Sequence, residues 1–360
     1  MNQPPNSSRR TFLTQVGLGS LAVATAPVAP SFAQGAAAGK PSGAAAKSPV
    51  WSQEYWAQKG DVKLYMFRKR REAPRAGAKP LPVLFLAHGS SMSSRPTFDV
   101  TVPGHGTYSL MDVFAGYGFD VWTMDFESYG RSTNIAARNS DIAEGVKDLK
   151  VGTDLILKET GVQRIHMFGE SSGGLRAAAF AMEHPERAGR LVLAAFTYTG
   201  EGSSTLADRA KQLEFYQKNN RRPRDREMIR SVFTRDKVGT SEPAVGEAVA
   251  DAELPFGNSV PTGTYLDMTS KLPVVDPLRV HAPVLLVRGE YDGIATEADL
   301  VSFYTKLPNR DRQLIVLPGM AHSCVLGINR DQLWHVMRSF LEMPARRDKL
   351  QNETATAQRS

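Results

Sequence analysis

Short apolar runs alternate with longer amphipathic segments along most of this 360-residue chain. The apolar runs lie at residues 62–67, 83–87, 121–124, 165–168, 191–196, 284–287 and 314–317. Helical patterns separate them at residues 108–115, 142–158, 175–182, 297–304 and 332–341. Nearly continuous apolar runs are typical of strands buried on both faces of a parallel sheet. The alternation therefore predicts an α/β fold with helices on both faces of the sheet.

The alternation is interrupted between residues 201 and 272, where helical patterns occur without a clear core strand. We interpret this segment as a helical cap inserted into a core formed by residues 51–200 and 273–344. Four arginines between positions 221 and 226 suggest an alternative, a membrane-binding amphipathic segment. A basic run is more often a solvated face. The basic residues 68–71 are likewise predicted to form a solvated hairpin tip.

The first fifty residues have the features of an export signal and a linker. Arg9 and Arg10 precede an apolar stretch at 16–26, and small residues at 31 and 33 follow. This pattern predicts a secretory signal peptide at 1–33, and the paired arginines indicate the twin-arginine type. We expect the twin-arginine export machinery as a partner and a periplasmic or secreted location. Residues 34–50 are predicted to be a flexible linker and 345–360 a disordered tail.

Composition excludes several classes of protein. The single cysteine, Cys324, can form no internal disulfide and no multi-cysteine metal site, and we expect it to be a buried filler. The formal net charge of +7 is spread along the chain, so nucleic acid is not implied. The chain contains no run of 18 apolar residues, so we expect no stable membrane insertion. The histidines lack metal-binding spacing and no cofactor motif occurs, so we expect neither a metal nor a cofactor.

The segment Gly169-Glu170-Ser171-Ser172-Gly173 lies directly after one predicted strand and before a predicted helix. A G-x-S-x-G segment at such a turn is typical of a nucleophile elbow, where small neighbours tolerate the strained serine backbone. Ser172 would need a glycine at position 170, where Glu170 stands. The pattern therefore predicts Ser171 as a nucleophile.

A serine nucleophile needs a base, and the base needs a group that orients it. Asp292 follows the predicted strand 284–287, and His322 follows the strand 314–317. The carboxyl ends of parallel strands meet at one edge of a sheet, so both side chains can approach Ser171. Taken singly, Asp292 could be a turn former and His322 a capping or core histidine. Together they predict a Ser171, His322 and Asp292 triad.

The strand at 83–87 ends in His88-Gly89-Ser90, which we interpret as an oxyanion loop. The backbone amides of Ser90 and Ser172 are predicted to form the oxyanion hole. His88 is expected to be structural, and Asp125 is expected to lie in a scaffold turn. The predicted substrate-binding residues are Met92, Phe98 and Tyr108 as apolar walls and Arg95 as a partner for an anionic group.

These motifs resemble the α/β-hydrolase superfamily over residues 60–343. The resemblance implies an eight-stranded, mostly parallel sheet with the active site at its carboxyl edge, under a lid. Members that act as haloalkane dehalogenases or epoxide hydrolases carry an aspartate where Ser171 stands. We therefore expect an exported serine hydrolase that cleaves a small-molecule carboxylic ester through an acyl-enzyme. An amidase or aminopeptidase, an acyltransferase and a non-catalytic binding module are the alternatives.

Overall fold

The computed structural model describes residues 50–344. Its strands are β1 (Trp51–Lys59), β2 (Val62–Arg70), β3 (Val83–Ala87), β4 (Asp120–Met124), β5 (Ile165–Glu170), β6 (Ala188–Ala194), β7 (Arg221–Pro223), β8 (Ser259–Pro261), β9 (Val284–Gly289) and β10 (Arg312–Leu317). Its α-helices are α1 (Ser94–Phe98), α2 (Leu110–Gly116), α3 (Ile142–Thr160), α4 (Ser172–Glu183), α5 (Ser204–Ala210), α6 (Leu213–Lys218), α7 (Arg226–Val232), α8 (Pro243–Glu253), α9 (Gly263–Ser270), α10 (Glu297–Lys306) and α11 (Arg330–Leu341). Short 3-10 helices lie at Leu254–Phe256, Pro277–Arg279 and Cys324–Leu326.

Eight strands form one sheet in the order β1-β2-β4-β3-β5-β6-β9-β10. The pairs β1/β2 and β2/β4 are antiparallel, and the remaining neighbours are parallel. The predicted α/β-hydrolase fold with an eight-stranded, mostly parallel sheet is therefore confirmed. The carboxyl ends of β3, β5, β9 and β10 point to one edge, where the candidate site lies.

The sheet is buried on both faces because its central strands are apolar at every position. In β3, Val83, Phe85 and Ala87 belong to one hydrophobic cluster, and Leu84 and Leu86 belong to the other. Helices α3, α4 and α10 contribute to the first cluster, and helices α2 and α11 contribute to the second. Two-sided burial explains why these strands lack the polar alternation of a half-exposed sheet.

The basic residues 68–71 do not form a hairpin tip, and this prediction is wrong for Arg68, Lys69 and Arg70, which belong to β2. The Arg68 side chain is buried and forms two hydrogen bonds to the Asp120 carboxylate, at 2.8 and 2.6 Å. Its guanidinium group also lies 4.7 Å from the Trp122 ring centroid. The Asp120 carboxylate and the Trp122 ring on the neighbouring strand thus stabilise the buried charge of Arg68, which the local sequence pattern predicted to be exposed.

The segment between β6 and β9, residues 195–283, carries α5 to α9 and is called the insertion below. It also contains β7 and β8, a short antiparallel pair that the sequence pattern did not predict. Arg224 and Glu253 form a buried ion pair that ties the insertion to the loop after β3. Within that pair, Glu253 Oε2 accepts hydrogen bonds from the Ser93 amide (3.0 Å) and hydroxyl (2.7 Å).

None of the helices described for residues 50–344 combines the length and apolar character that crossing a membrane requires. The predicted signal peptide (1–33) and tail (345–360) lie outside the described residues, and so does the predicted linker apart from residue 50.

Candidate active site

The turn between β5 and α4 holds Ser171 at φ 57° and ψ −124°. The Ser171 amide donates a hydrogen bond to the Ala194 carbonyl oxygen (2.9 Å). A Cβ atom at Gly173 would lie 2.1 Å from the Ala87 carbonyl oxygen, and one at Gly169 would lie 2.4 Å from the Gly173 carbonyl oxygen. Because no side chain fits at either position, the two glycines permit the sharp turn that presents the serine.

Asp292 and His322 lie on the loops after β9 and β10, with both side chains almost fully buried. His322 Nδ1 lies 2.8 Å from Asp292 Oδ1, which also accepts the amides of Ile294 (2.8 Å) and Ala295 (3.1 Å). Burial alone would raise the pKa of Asp292, but His322 and these amides outweigh it and hold the pKa below its usual value. An ionised Asp292 keeps a proton on Nδ1 and leaves Nε2 of the imidazole free to accept one.

Ser171 and His322 both line one small cavity, called the reaction cavity below. Its other lining residues are Gly89, Ser90, Ser91, Met92, Thr97, Glu170, Arg209, Val232, Arg235 and Ser323. The structure thus brings together a serine, an imidazole and a carboxylate that the sequence offered on three separate loops. The insertion supplies part of the cavity wall through Arg209, Val232 and Arg235.

The predicted oxyanion residues, Ser90 and Ser172, lie beside each other, and Ser90 lines this cavity. The Ser90 hydroxyl donates to Ser172 Oγ (2.8 Å) and accepts from Thr264 Oγ1 (2.8 Å), while Tyr129 OH donates to the Ser90 carbonyl oxygen (3.1 Å). Neither the Ser90 nor the Ser172 amide donates a hydrogen bond to a protein group among residues 50–344. Both amides are thus left without a protein acceptor in this range, and the Ser172 amide lies at the positive end of α4.

His88 and Asp125 have structural positions, as their surroundings show. His88 Nε2 accepts the Phe126 amide (3.2 Å) and Nδ1 donates to the Gly89 carbonyl oxygen (2.8 Å). Burial lowers the pKa of His88 to about 3, so the ring is neutral. Asp125 accepts hydrogen bonds from the Ser94 amide and hydroxyl and from the Arg131 amide, and burial raises its pKa to about 6. Both side chains hold loops in place.

Glu170 lines the reaction cavity next to the nucleophile. Its Oε1 accepts the Val325 amide (3.4 Å) and lies 3.8 Å from Cys324 Sγ. Burial raises the pKa of Glu170 to about 7, although the nearby His322 works against this rise. Burial and the Glu170 charge also raise the pKa of the Cys324 thiol well above its ordinary value. Cys324 is therefore an unreactive buried side chain.

Of the four predicted substrate-binding residues, Met92 lines the reaction cavity and the other three do not. Phe98 is fully buried with its ring edge-on to Phe168, at 5.9 Å between centroids. Tyr108 is buried under Arg330, whose guanidinium carbon lies 3.5 Å from the ring centroid.

Arg95 is the third residue whose predicted place is wrong. It stacks on the Phe67 ring at 4.1 Å and pairs with Asp99 at 3.3 Å. There it lines a separate cavity of about 730 Å³, larger than the reaction cavity. That cavity contains neither Ser171 nor His322, so its size does not make it the reaction site. Position near the oxyanion loop in sequence did not determine which way these side chains point.

The insertion supplies neighbours of the site that no local motif indicated. Asp236 Oδ2 accepts the His322 amide (3.2 Å), and Asp236 Oδ1 accepts Arg235 Nε (3.0 Å). Asp236 thereby ties the loop that carries His322 to the insertion. Arg209 and Arg235 enter the cavity wall from the same segment. The local sequence around these two arginines is typical of an exposed helical region. It gives no sign of their place in the cavity wall, because that place depends on how the insertion packs.

Among residues 50–344, two clusters of acidic or histidine side chains have the spacing of metal ligands. In the first, formed by Asp236, Asp292 and His322, the imidazole and the Asp292 carboxylate already face each other across a hydrogen bond. A second cluster, Glu127, Glu144 and Asp148, surrounds the Lys59 ammonium group and forms ion pairs with it. Ion pairing explains the second cluster, and hydrogen bonding explains the first.

Comparison with known families gives a match over residues 105–327 to the family described as serine aminopeptidase, S33. This range includes the Ser171 turn, Asp292 and His322. It covers more than half of the chain.

Several curated relatives share part of the sequence. A 2-hydroxy-6-oxononadienedioate/2-hydroxy-6-oxononatrienedioate hydrolase of Paraburkholderia phymatum is 37% identical over 86 residues, which are 24% of this chain and 28% of that protein. An enzyme of the same name from a Pseudomonas species is 30% identical over 118 residues, 31% of this chain and 38% of the relative. The matched segments thus span well under half the length of these relatives.

Solved structures resemble the fold over most of the chain. The carboxylesterase CesB of Bacillus subtilis aligns with a TM-score of 0.60 at 16% identity, covering 83% of this chain and 94% of that one. The 2-hydroxy-6-oxo-6-phenylhexa-2,4-dienoate hydrolase of a Rhodococcus species aligns with a TM-score of 0.59 at 19% identity, covering 81% and 99%. At this identity the likeness establishes a shared fold.

Proposed function

Because the chain belongs to the serine aminopeptidase, S33 family of α/β-hydrolases, we propose that it is a serine hydrolase that cleaves a carboxylic ester. The observation that carries the proposal is the contact of 2.8 Å between His322 Nδ1 and Asp292 Oδ1, in an imidazole that shares its cavity with Ser171. This arrangement prepares an imidazole to take a proton from a serine hydroxyl.

In the proposed first half-reaction, Ser171 Oγ attacks the ester carbonyl carbon while His322 Nε2 takes the hydroxyl proton. The carbonyl oxygen becomes an oxyanion, which the amides of Ser90 and Ser172 receive as hydrogen-bond donors. Asp292 stabilises the imidazolium that forms. Collapse of the intermediate breaks the bond to the alcohol oxygen, and His322 returns the proton to that oxygen.

The second half-reaction repeats these steps with water in place of Ser171. His322 takes a proton from water, and the resulting hydroxide adds to the acyl carbon. The bond to Ser171 Oγ then breaks, and the proton returns to the serine. The products are a free carboxylic acid and the regenerated hydroxyl group. An added alcohol in place of water would make the same enzyme an acyltransferase.

The curated relatives support a second candidate, hydrolysis of a keto-enol diacid. A hydroxy-oxo-nonadienedioate contains no ester or amide, so its hydrolysis must break a carbon–carbon bond. The same serine, imidazole and oxyanion donors could assist addition to the oxo group. This candidate draws on partial matches of 30 to 37% identity.

Aminopeptidase activity, named in the family description, fits the cavity less well. An aminopeptidase binds a positively charged α-ammonium group, which favours acidic neighbours. The reaction cavity instead has Arg209 and Arg235 in its wall, with Glu170 as the acid among its lining residues. Two cations in the wall oppose a cationic substrate, so we favour esters over aminoacyl substrates.

The decisive experiment compares three substrate classes on the purified protein: p-nitrophenyl acyl esters, aminoacyl anilides and a 2-hydroxy-6-oxo-dienoate. We expect ester hydrolysis to exceed the other two activities. The Ser171→Ala variant should lose at least roughly 10⁴-fold in kcat, because it removes the nucleophile. A fluorophosphonate probe should label the wild type and leave Ser171→Ala unlabelled.

Ser270→Ala is the matched control, since Ser270 lies at the exposed end of α9. It should keep both activity and labelling. Turnover of the dienoate without ester turnover would favour the second candidate. Folded wild-type protein that neither turns over any of the three substrates nor reacts with the probe would instead be a binding module.

We further propose that the hydrolase is exported. Support comes from the paired Arg9 and Arg10, the apolar stretch at 16–26 and the small residues at 31 and 33. A chain with one buried cysteine needs no oxidative step in the compartment that receives it.

A further inference from the structure

The reaction cavity borders a second cavity of about 260 Å³ on the side of the insertion. Ser91, Arg209, Val232 and Arg235 line both cavities. Arg222 completes the basic lining of the second cavity, which we call the arginine cavity. Three guanidinium groups thus lie within the lining of one cavity that adjoins the candidate nucleophile.

The charge of the arginine cavity is poorly balanced by protein groups. Arg209 and Arg222 form no ion pair with a carboxylate in the part of the chain from residue 50 to 344. Arg235 forms an ion pair with Asp236, whose other carboxylate oxygen accepts a hydrogen bond from the His322 amide. Asp208, the acid among the lining residues, is mostly exposed and pairs with Lys211 at 2.7 Å. The cavity therefore carries a net positive charge.

An aromatic ring holds two of these groups in position. The guanidinium carbons of Arg209 and Arg222 lie 5.1 and 4.7 Å from the Tyr265 ring centroid. Tyr265 is itself fixed by a hydrogen bond of 2.8 Å to Ser91 Oγ. A guanidinium group held against an aromatic ring has further N–H donors for a ligand, in the planar arrangement that suits a carboxylate.

Burial lowers the pKa of Arg209 to about 10; the charges of Arg235 and Arg222 act in the same direction, and the hydroxyl groups of Tyr265 and Tyr216 oppose them. Arg209 is still charged at neutral pH, so the three cations repel one another in a partly desolvated site. A bound anion would relieve this repulsion and form charge-assisted hydrogen bonds. The direction of this pKa shift agrees with the geometry.

We propose that Arg209, Arg222 and Arg235 form an anion subsite that binds a carboxylate of the substrate, so that the preferred ester carries a second, ionised acid group. The inference rests on the proposed ester hydrolysis, which it makes more specific. From its place in the sequence, Arg95 was expected to meet an anionic group. In the proposed subsite, three arginines of the insertion take that role instead.

The test compares two p-nitrophenyl esters of equal chain length, the neutral valerate and the anionic hydrogen glutarate. We expect wild-type kcat/KM to be at least roughly tenfold higher for the glutarate, a preference that added salt reduces. Arg209→Gln and Arg222→Gln should each lower the glutarate-to-valerate ratio of kcat/KM by roughly tenfold, the size of one charge-assisted hydrogen bond. Phenyl butyrate and carboxyphenyl butyrate form a second pair, in which the carboxylate is carried by the alcohol part of the ester. Their ratio of kcat/KM tests the alcohol side in the same way.

Arg226→Gln is the matched control, because Arg226 pairs with Glu247 and Asp251 outside both cavities. It should leave the ratio unchanged. Turnover of the neutral esters with no preference for either kind of anionic ester, or a preference that survives both variants, would overturn the subsite and leave the proposed ester hydrolase standing. Calorimetric titration of Ser171→Ala with glutarate gives an independent readout. Suppose that glutarate binds to Ser171→Ala, that adding Arg222→Gln abolishes this binding, and that the wild type hydrolyses no ester. This result would support the subsite and refute the proposed function.

Discussion

Glu170 is a carboxyl group whose surroundings in the protein do little to stabilise its ionised form. Its side chain is buried beside Cys324 and Val325, and burial raises its pKa to about 7 from an ordinary 4.5. Asp292 acts in the same direction, while His322 opposes it. A group that binds its proton more tightly in the folded chain stabilises the fold at low pH, and this contribution is lost as pH rises through the folded pKa.

We therefore expect Glu170→Gln to gain stability relative to the wild type as the pH rises from about 5 to about 8. The glutamine does not titrate, whereas the wild type loses up to about 3 kcal/mol of unfolding free energy from this group over the interval between its two pKa values. Urea unfolding at both pH values measures the difference. Glu183→Gln, at the exposed end of α4, should follow the wild type. Parallel pH profiles of Glu170→Gln and the wild type would contradict a raised pKa.

Single positions were predictable from sequence where their constraint is local. Ser171 was, because the two glycines, the preceding strand and the following helix are all within ten residues of it. Phe98 and Tyr108 were not, because an apolar side chain near the oxyanion loop can point into the cavity or into the core. Their burial depends on Phe168 and Arg330, which are distant in sequence.

At the scale of elements, the errors concern strands that lack an apolar signature. β1 was missed because it is an edge strand, paired on one side with β2 and mostly exposed. The end of β2 was mistaken for a loop because its basic residues find Asp120 only in the folded sheet. The buried central strands were predicted from the sequence within a few residues, since two-sided burial leaves a continuous apolar run.

The attachment of the insertion to the core depends on another contact that no local pattern reveals. The ion pair of Arg224 with Glu253 is almost completely buried, and Arg224 also donates to the Ser91 carbonyl oxygen (3.1 Å). Glu253 accepts from Ser93 at the start of α1. These bonds connect the insertion to the loop that carries Ser90, so their loss should affect stability and the oxyanion hole together.

We expect Glu253→Gln to destabilise the fold by about 3 kcal/mol, because it leaves the Arg224 charge buried without a counter-charge. Urea unfolding measures this cost, and kcat on a neutral ester should fall in parallel. Glu247→Gln, on the exposed face of the same helix, should change unfolding and turnover far less. Equal stability of the two variants would show that the buried pair does not hold the insertion in place.

For the whole molecule, the alternation of apolar runs and helical patterns predicted the sheet, and the places of Ser171, Asp292 and His322 after predicted strands put these three candidates at one edge. The relation between the insertion and that edge could not be predicted. Which side chains of residues 195–283 reach the cavity depends on packing between elements far apart in sequence. The arginine cavity illustrates this, since its three arginines come from separate parts of the insertion. Arg209 and Arg222 lie against the Tyr265 ring, and Arg235 donates a hydrogen bond to Asp236.

The proposed export also concerns the molecule as a whole, because twin-arginine export carries chains that have already folded. In a bacterium with that machinery, the full-length chain should appear in the periplasmic fraction as an active, shortened protein. Replacing Arg9 and Arg10 with lysines keeps the charge but removes the paired guanidinium groups, which differ from ammonium groups in shape and hydrogen bonding. We expect this double variant to stay in the cytoplasm at full length, as shown by immunoblotting of fractions.

The control carries the same replacement at Arg346 and Arg347, the arginine pair in the predicted tail. It should be exported like the wild type. If the Arg9 and Arg10 variant reaches the periplasm in equal amount, the twin-arginine route is refuted, although another secretory route would still be open. Cytoplasmic retention of the wild type in a competent host would refute export itself. Because the candidate site lies within residues 50–344, either result leaves the proposed chemistry to be judged by its own experiments.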